Sequence, residues 1–313
     1  MIILDLKTGA PVALSASDTL ACAVGNFDGV HLGHRALLRA AAEKPNDATK
    51  SAVWTFRTPC SSLLCPDVKL LTAPDERLAL FRTCGIELAI LEAFDEVRDL
   101  TPDAFCETLF DACHVRTAIC GFDFRYGKNA SGTPQTLAAF FAAHGGFSEI
   151  IPPVEYEKTV VSASEIRRAI ADGEMKRATA LLGRAYALTG DVAHGNAIGR
   201  TLGVPTANLL FPPDRALPKF GAYAVRVHAG ERSYFAVADV GVHPTVKKGG
   251  TNVVCEAHLF DFDGDLYGQT VRVEFLKFLR PEQAFSDEAA LRSAIREDIE
   301  NAKAFFAKTG GGA

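Results

Sequence analysis

The densest chemistry in the chain lies in the ten residues Gly25-Asn26-Phe27-Asp28-Gly29-Val30-His31-Leu32-Gly33-His34. They close the apolar run 19–27 and open a segment with Leu37, Leu38 and Ala41 at helical spacing. A strand-to-helix turn offers free backbone N–H groups and the positive end of a helix to an anion. The glycines allow phosphate to approach closely. His31 and His34 can donate hydrogen bonds to phosphate oxygens as charge develops. A metal pair is a weaker reading, because no third ligand lies nearby. A plain turn with surface histidines suits a lone His better than this whole string in this context.

Other segments carry similar chemistry. Ser162, Ser164 and Arg167 stand where an apolar run meets a helical one, and hydroxyls, N–H groups and an arginine there suit a triphosphate. An ordinary serine cap with a solvated arginine is the plain alternative. Gly195, Gly199 and Gly203 recur every four residues and lead into Val204-Pro205-Thr206-Ala207-Asn208. This spacing is not the dinucleotide G-x-G-x-x-G. It suits either a series of β-turns or a glycine-rich loop over phosphates, with Arg200 adding charge. The Thr206 hydroxyl and Asn208 amide oxygen are hard donors of the kind Mg²⁺ takes alongside ATP. Glu256 interrupts an apolar strand, a costly place for a carboxylate unless it is paired or used. Two look-alikes fail. Residues 127–133, GKNASGT, lack the lysine of a P-loop. Asp261, Asp263 and Asp265 lack the sixth-position glycine and final acid of a calcium loop, so a hairpin turn at Asp263-Gly264 is expected instead.

Taken together these segments resemble bacterial bifunctional riboflavin kinase/FMN adenylyltransferase, a relative of the HxGH nucleotidyltransferases. GNFDGVHLGH, GFDFRYGKNASGT, VSASEIRRAI, HGNAIGRTLGVPTANL, VGVHPTV, CEAHLFDFDGDLYGQ and FLRPEQAF carry the resemblance in the family's order. It implies that His31, His34 and Arg167 stabilise pyrophosphate as FMN attacks ATP. It implies ATP contacts at Gly25, Asn26, Phe27, Asp28, Gly29, Ser162 and Ser164 in one half, and at Gly195, Gly199, Arg200, Gly203 and Pro205 in the other. Phe56, Asp123, Phe124, Arg125, Tyr126 and Arg280 would meet flavin, although core packing competes for Phe124 and Tyr126. Thr206 and Asn208 would hold Mg²⁺ with ATP, and Glu256 would be the general base toward the riboflavin 5′-hydroxyl. Flavin is thus substrate and product, and the partners are riboflavin, FMN, FAD and ATP. The sequence departs from the family at Thr55-Phe56-Arg57-Thr58-Pro59-Cys60, where T-F-x-P-H-P is usual, and at Ala163, Ser164, Asp239 and His243. A kinase with a degenerate first domain, or a non-catalytic flavin or nucleotide sensor, would keep the same fold.

The elements that must position these residues follow from periodicity. Strands are expected at 19–27, 51–56, 86–92, 115–120 and 148–152, alternating with helices at 33–44, 74–84, 101–110 and 134–144. That alternation predicts a parallel, doubly wound sheet with ligands at the strands' carboxyl ends. Ser164 is expected to cap a helix that Gly173 interrupts and Gly183 ends. Many short β-like runs across 186–275 then predict an antiparallel barrel or sandwich, followed by an amphipathic helix over 286–307. The fold class is therefore α/β plus β: a Rossmann-like adenylyltransferase domain over 1–183 and a riboflavin-kinase barrel over 184–313.

The 313 residues carry 33 Lys and Arg against 38 Asp and Glu, a formal charge of −5, which argues against a general nucleic-acid coat. No apolar run of about 18 residues occurs, so no membrane span is expected. Asp5 and Lys7 interrupt the N-terminal apolar stretch, which does not read as a leader. Eight cysteines without a C-x-x-C pair fit a reducing cytoplasm. Nothing in the sequence sets the oligomeric state.

Overall fold

The computed structural model describes residues 1–5, 18–44, 48–193, 206–244 and 251–309. The chain divides into two compact units, Met1–Ala163 and Ser164–Ala313.

The first unit is built on β1 (Ile2–Asp5), β2 (Thr19–Val24), β3 (Thr49–Phe56), β4 (Leu88–Glu92), β5 (Val115–Gly121) and β6 (Phe147–Ile151). They form one sheet in the order β1-β4-β3-β2-β5-β6, and every pairing is parallel. Strands of such a sheet are apolar on both faces. Leu20, Cys22 and Val24 of β2 join a core with Trp54, Ile90, Phe105 and Phe141, whereas Ala21 and Ala23 join Phe27, Leu38, Val53 and Phe81 on the other face. The connecting helices are α1 (Leu32–Ala42), α2 (Cys60–Leu64), α3 (Pro74–Thr83), α4 (Phe94–Val97), α5 (Pro102–Glu107) and α6 (Pro134–Ala143). Thr101 and Thr133 cap α5 and α6 as their positions before Pro102 and Pro134 predict. The helix expected over 101–110 instead ends at Glu107 and continues as a π-turn over Thr108–Ala112, where the Thr108 hydroxyl bonds the Ala104 carbonyl. The strand order reverses between β2 and β5, so the switch point faces the loop after β2. A short hairpin, β7 (Glu155–Tyr156) with β8 (Thr159–Val160), follows the sheet.

α7 (Ala163–Ala171) and α8 (Met175–Leu182) flank the interruption expected at Gly173, and Gly183 ends the second helix as expected. Ser164 lies inside the first turn of α7, and Ser162 is the residue that precedes the helix. These helices fall with the barrel, ahead of the 183/184 break read from the sequence. Arg177 of α8 pairs with Glu165 at 3.3 Å, Lys219 N donates to the Ile170 carbonyl at 3.2 Å, and α8 packs on the barrel strands.

That barrel is closed and antiparallel. Its strands are β9 (Tyr186–Ala193), β10 (Ala207–Leu210), β11 (Gly221–Ala229), β12 (Arg232–Pro244), β13 (Thr251–Leu259) and β14 (Thr270–Pro281), in the order β10-β13-β12-β11-β14-β9. Closure by β9–β10 pairing settles barrel against sandwich. Leu209, Tyr223, Val225, Cys255, Ala257 and Phe275 fill the interior and are fully buried. The final helix α9 (Glu288–Lys308) lays Ala302 and Phe306 on Ala224 and Val237 of the outer wall. The hairpin expected at Asp263-Gly264 does not form, because β13 pairs with β10 and β12 while β14 pairs with β11 and β9. The connection is a loop that turns at Asp265, whose carboxylate accepts from Tyr267 N at 2.8 Å.

Gly221 sets the start of β11. At φ +140°, a Cβ there would lie 2.1 Å from the Arg280 carbonyl oxygen. Gly221→Ala is expected to destabilise the barrel by about 2–3 kcal/mol or more, read by denaturant unfolding.

Candidate active sites

The carboxyl ends of the first unit's strands enclose a cavity of about 840 Å³. Its walls come from the segments after β2, β3, β4, β5 and β6, as the switch-point rule requires. Gly25, Asn26, Phe27, Asp28, His31, His34, Phe56, Asp123, Phe124, Arg125, Tyr126 and Ser162 all line it. Gly29 sits beside this wall without lining it, and Ser164 and Arg167 belong to α7 in the second unit.

The loop after β2 has a tense backbone. Phe27, Gly29 and Val30 take φ of 52°, 82° and 40°, and a buried β-branched residue at positive φ is strained. The surroundings hold it there. Phe27 packs edge-on to Phe81 at 5.6 Å and against His34 at 5.1 Å. The Asn26 side chain accepts from Cys60 N at 2.8 Å, which ties the loop to the segment that departs from the family. Asp28 is buried, and its carboxylate accepts from Leu71 N at 3.0 Å and Thr72 N at 3.3 Å. The Thr72 hydroxyl also donates to it at 3.4 Å.

His31 occupies the N-cap of α1, with Nδ1 accepting from His34 N at 3.3 Å. The two imidazoles stack at 3.6 Å. Gly33 permits this, because a Cβ would come within 3.2 Å of the His31 ring. His34 Nδ1 is buried and has no hydrogen-bond partner among the described residues. Burial first, then His31, then Arg77, holds the His34 pKa well below the ordinary 6.5. His34 is thus neutral at pH 7 without ligand, and the charge of a bound polyphosphate would favour its protonation. In the unfolded chain His34 binds its proton near 6.5 and in the folded chain only at lower pH. Stability from this group is therefore complete above 6.5 and declines as pH drops below it. Urea unfolding between pH 7.5 and 5.5 should show that decline, and His34→Gln should reduce it.

Beyond β5, Phe124 and Tyr126 stack at 5.4 Å. Tyr126 is largely a core residue whose hydroxyl meets Thr136 at 3.0 Å and Cys106 at 3.4 Å, although it also lines the cavity. Phe122, which the sequence reading passes over, is exposed on the same wall. Arg77 was also missed. Its side chain is only 2% exposed. It donates to the Asn26 carbonyl at 3.1 Å, the Arg57 carbonyl at 2.7 Å and the Phe56 carbonyl. The signal was available, since Arg77 stands one turn before Phe81 on the apolar face of α3.

The residues of the second candidate site lie on the barrel wall. Asn208 of β10 pairs in register with Glu256 of β13, and Glu256 with Asp239 of β12. Cross-strand partners share a face. Because Cys255 and Ala257 point inward, Glu256 is on the outer face and half-buried rather than inside the barrel. Burial pushes the Asp239 carboxyl above its ordinary value; Arg280 opposes this, and Glu282, Asp298 and Glu256 add to it. Arg280 donates from Nη2 to the buried Asp298 at 2.7 Å and from Nε at 3.0 Å. Thr206 directly precedes β10. Gly195, Gly199, Arg200, Gly203 and Pro205 lie outside the described residues.

Family models match both parts of the chain. A FAD synthetase model matches residues 14–165 and a riboflavin kinase model matches 182–306. The pairing defines a two-module flavin-nucleotide enzyme. The Listeria monocytogenes bifunctional riboflavin kinase/FMN adenylyltransferase is 33% identical over 91% of this chain and 92% of its own length. The Escherichia coli enzyme of the same description is 35% identical over 91% and 92%. A solved chain from Streptococcus pneumoniae, described as a macrolide-efflux protein, superposes with a TM-score of 0.84 at 34% identity, covering 97% of this chain and 99% of that one. The chain belongs to the bifunctional riboflavin kinase/FMN adenylyltransferase family. Among the described residues no helix is long and apolar enough to cross a membrane.

Proposed function

We propose that this protein converts riboflavin to FMN and then FMN to FAD, using ATP in both steps. The observation that carries the reading is the order of the two family matches along one chain, each falling on a site of suitable chemistry. The kinase domain is proposed to begin near residue 184, with adenylyl transfer assigned to 1–183, and the enzyme is proposed to work in the reducing cytoplasm.

In the kinase half, the riboflavin 5′-hydroxyl attacks the γ-phosphorus of ATP, and ADP departs. Glu256 accepts the hydroxyl proton as the new P–O bond forms, since a carboxylate cannot ionise an alcohol beforehand. Thr206 and Asn208 offer hard oxygen donors, and Asn208 stands in register beside Glu256. Such a set suits Mg²⁺ carried by ATP. Bound there, the ion would supply charge neutralisation on the phosphates. The glycines 195, 199 and 203 with Arg200 and Pro205 are proposed to cover those phosphates.

In the adenylyltransferase half, a phosphate oxygen of FMN attacks the α-phosphorus of ATP, and pyrophosphate departs. The free N–H groups opening α1, with His31 and His34, stabilise the leaving charge. Ser162, Ser164 and Arg167 are kept as proposed phosphate-binding residues. Phe56, Phe124 and Tyr126, with Asp123 and Arg125, supply an aromatic and polar wall suited to a flavin ring and its phosphate. Arg280, engaged with Asp298, is proposed to shape the kinase flavin pocket through that pair.

Purified protein given FMN, ATP and Mg²⁺ should release FAD and pyrophosphate in equal amounts. Bound FMN without FAD would overturn the adenylyltransferase half and leave a kinase with a silent partner.

A further inference from the structure

Arg77 is among the largest fully buried side chains of the protein. Taking a guanidinium out of water is costly unless its donors are well used. Here Nη1 and Nη2 serve three backbone carbonyls, Asn26 in the loop after β2 and Phe56 and Arg57 at the end of β3, while the buried Nε has no hydrogen-bond partner among the described residues. Asn26 and Phe56 both line the cavity. The fork thus ties the loop that launches His31 to the strand end that carries the departure from the family pattern. The same turn of chain is fixed from two other sides. Asp28, whose charge acts on Arg77, accepts from the backbone of Leu71 and Thr72, and Phe81 on the arginine's own helix packs on Phe27. Burial lowers the Arg77 pKa only to about 10, so the group stays charged at neutral pH.

We propose that Arg77 is a positioning residue for adenylyl transfer, clamping the carboxyl ends of β2 and β3 so that His31 and His34 face the phosphates in one fixed geometry. The assignment rests on the adenylyltransferase reading of this cavity. A guanidinium spans three carbonyls in a planar fork, which an ammonium cannot do. Its charge also adds to the burial and the His31 ring that keep His34 unprotonated before ligand binds.

The test uses the full-length protein and its own kinase step as internal control. The first measurement is FAD formation by the unmodified enzyme from FMN, ATP and Mg²⁺. Its absence would sink the functional reading while leaving the clamp to be judged by spectroscopy. In Arg77→Lys and Arg77→Met, kcat for FAD formation should fall on the order of 10- to 100-fold. KM for FMN should change less, and FMN formation from riboflavin should keep its rate. The His34 imidazole, followed by NMR, should titrate closer to ordinary histidine in Arg77→Met and stay low in Arg77→Lys. Wild-type kcat for FAD formation in either folded variant overturns the proposal. If both variants fail to fold, the unmodified protein decides. Protected Nη protons and slow guanidinium rotation at Arg77 support the clamp, and free rotation overturns it.

Discussion

Replacing Glu256 by Gln should cut FMN formation about 100- to 10,000-fold, the range over which a positioned general base acts. FAD formation from supplied FMN should continue at the wild-type rate. The isostere keeps the shape of the β13 position and a hydrogen-bonding head, so the barrel should hold. Glu256 sits on the half-buried outer face, between Asn208 and Asp239 in register, and Gln relieves rather than creates charge crowding there. Loss of stability is therefore not the cause expected for the loss of rate. A quenched assay that separates riboflavin, FMN and FAD reads both steps in one tube. An unchanged kinase rate in Glu256→Gln would remove the general-base role.

His31→Asn should do the converse, lowering FAD formation on the order of 100-fold while leaving the kinase rate intact. Asparagine is chosen because His31 does two jobs. Its Nδ1 caps α1 by accepting from His34 N, and its imidazole stacks on His34 over the cavity. Asn is a strong N-cap and restores the first function without the second. Thermal unfolding should thus move little compared with His31→Ala, which loses about 1 kcal/mol of capping as well. Equal FAD rates in His31→Asn and the wild type would remove the imidazole from the chemistry and leave it as a cap.

Much of this was legible in the residues. Central strands of a parallel sheet are buried on both faces, so 19–27, 51–56 and 86–92 announced themselves as apolar runs, and Thr-Pro pairs marked two helix starts. The HLGH string was readable because its junction was. Short edge pieces were not. β1 has four residues and owes its strand to β4, while the hairpin 155–160 and α2 are too short for a period to register. β10 hid inside a segment read for its phosphate chemistry, and it holds its conformation only through β9 and β13. The Asp263-Gly264 signal misled because a local turn preference says nothing of which strands a closed barrel sets side by side. Arg77 was missed because it belongs to no chemistry-bearing motif, although its spacing from Phe81 put it on the packed face of α3.

The central claim is that one chain carries riboflavin through FMN to FAD, and a time course with riboflavin, ATP and Mg²⁺ tests it most directly. The account predicts that FMN rises first and then gives way to FAD, with two ATP consumed per FAD formed. Riboflavin bound but unchanged, with no ATP consumed, would contradict it.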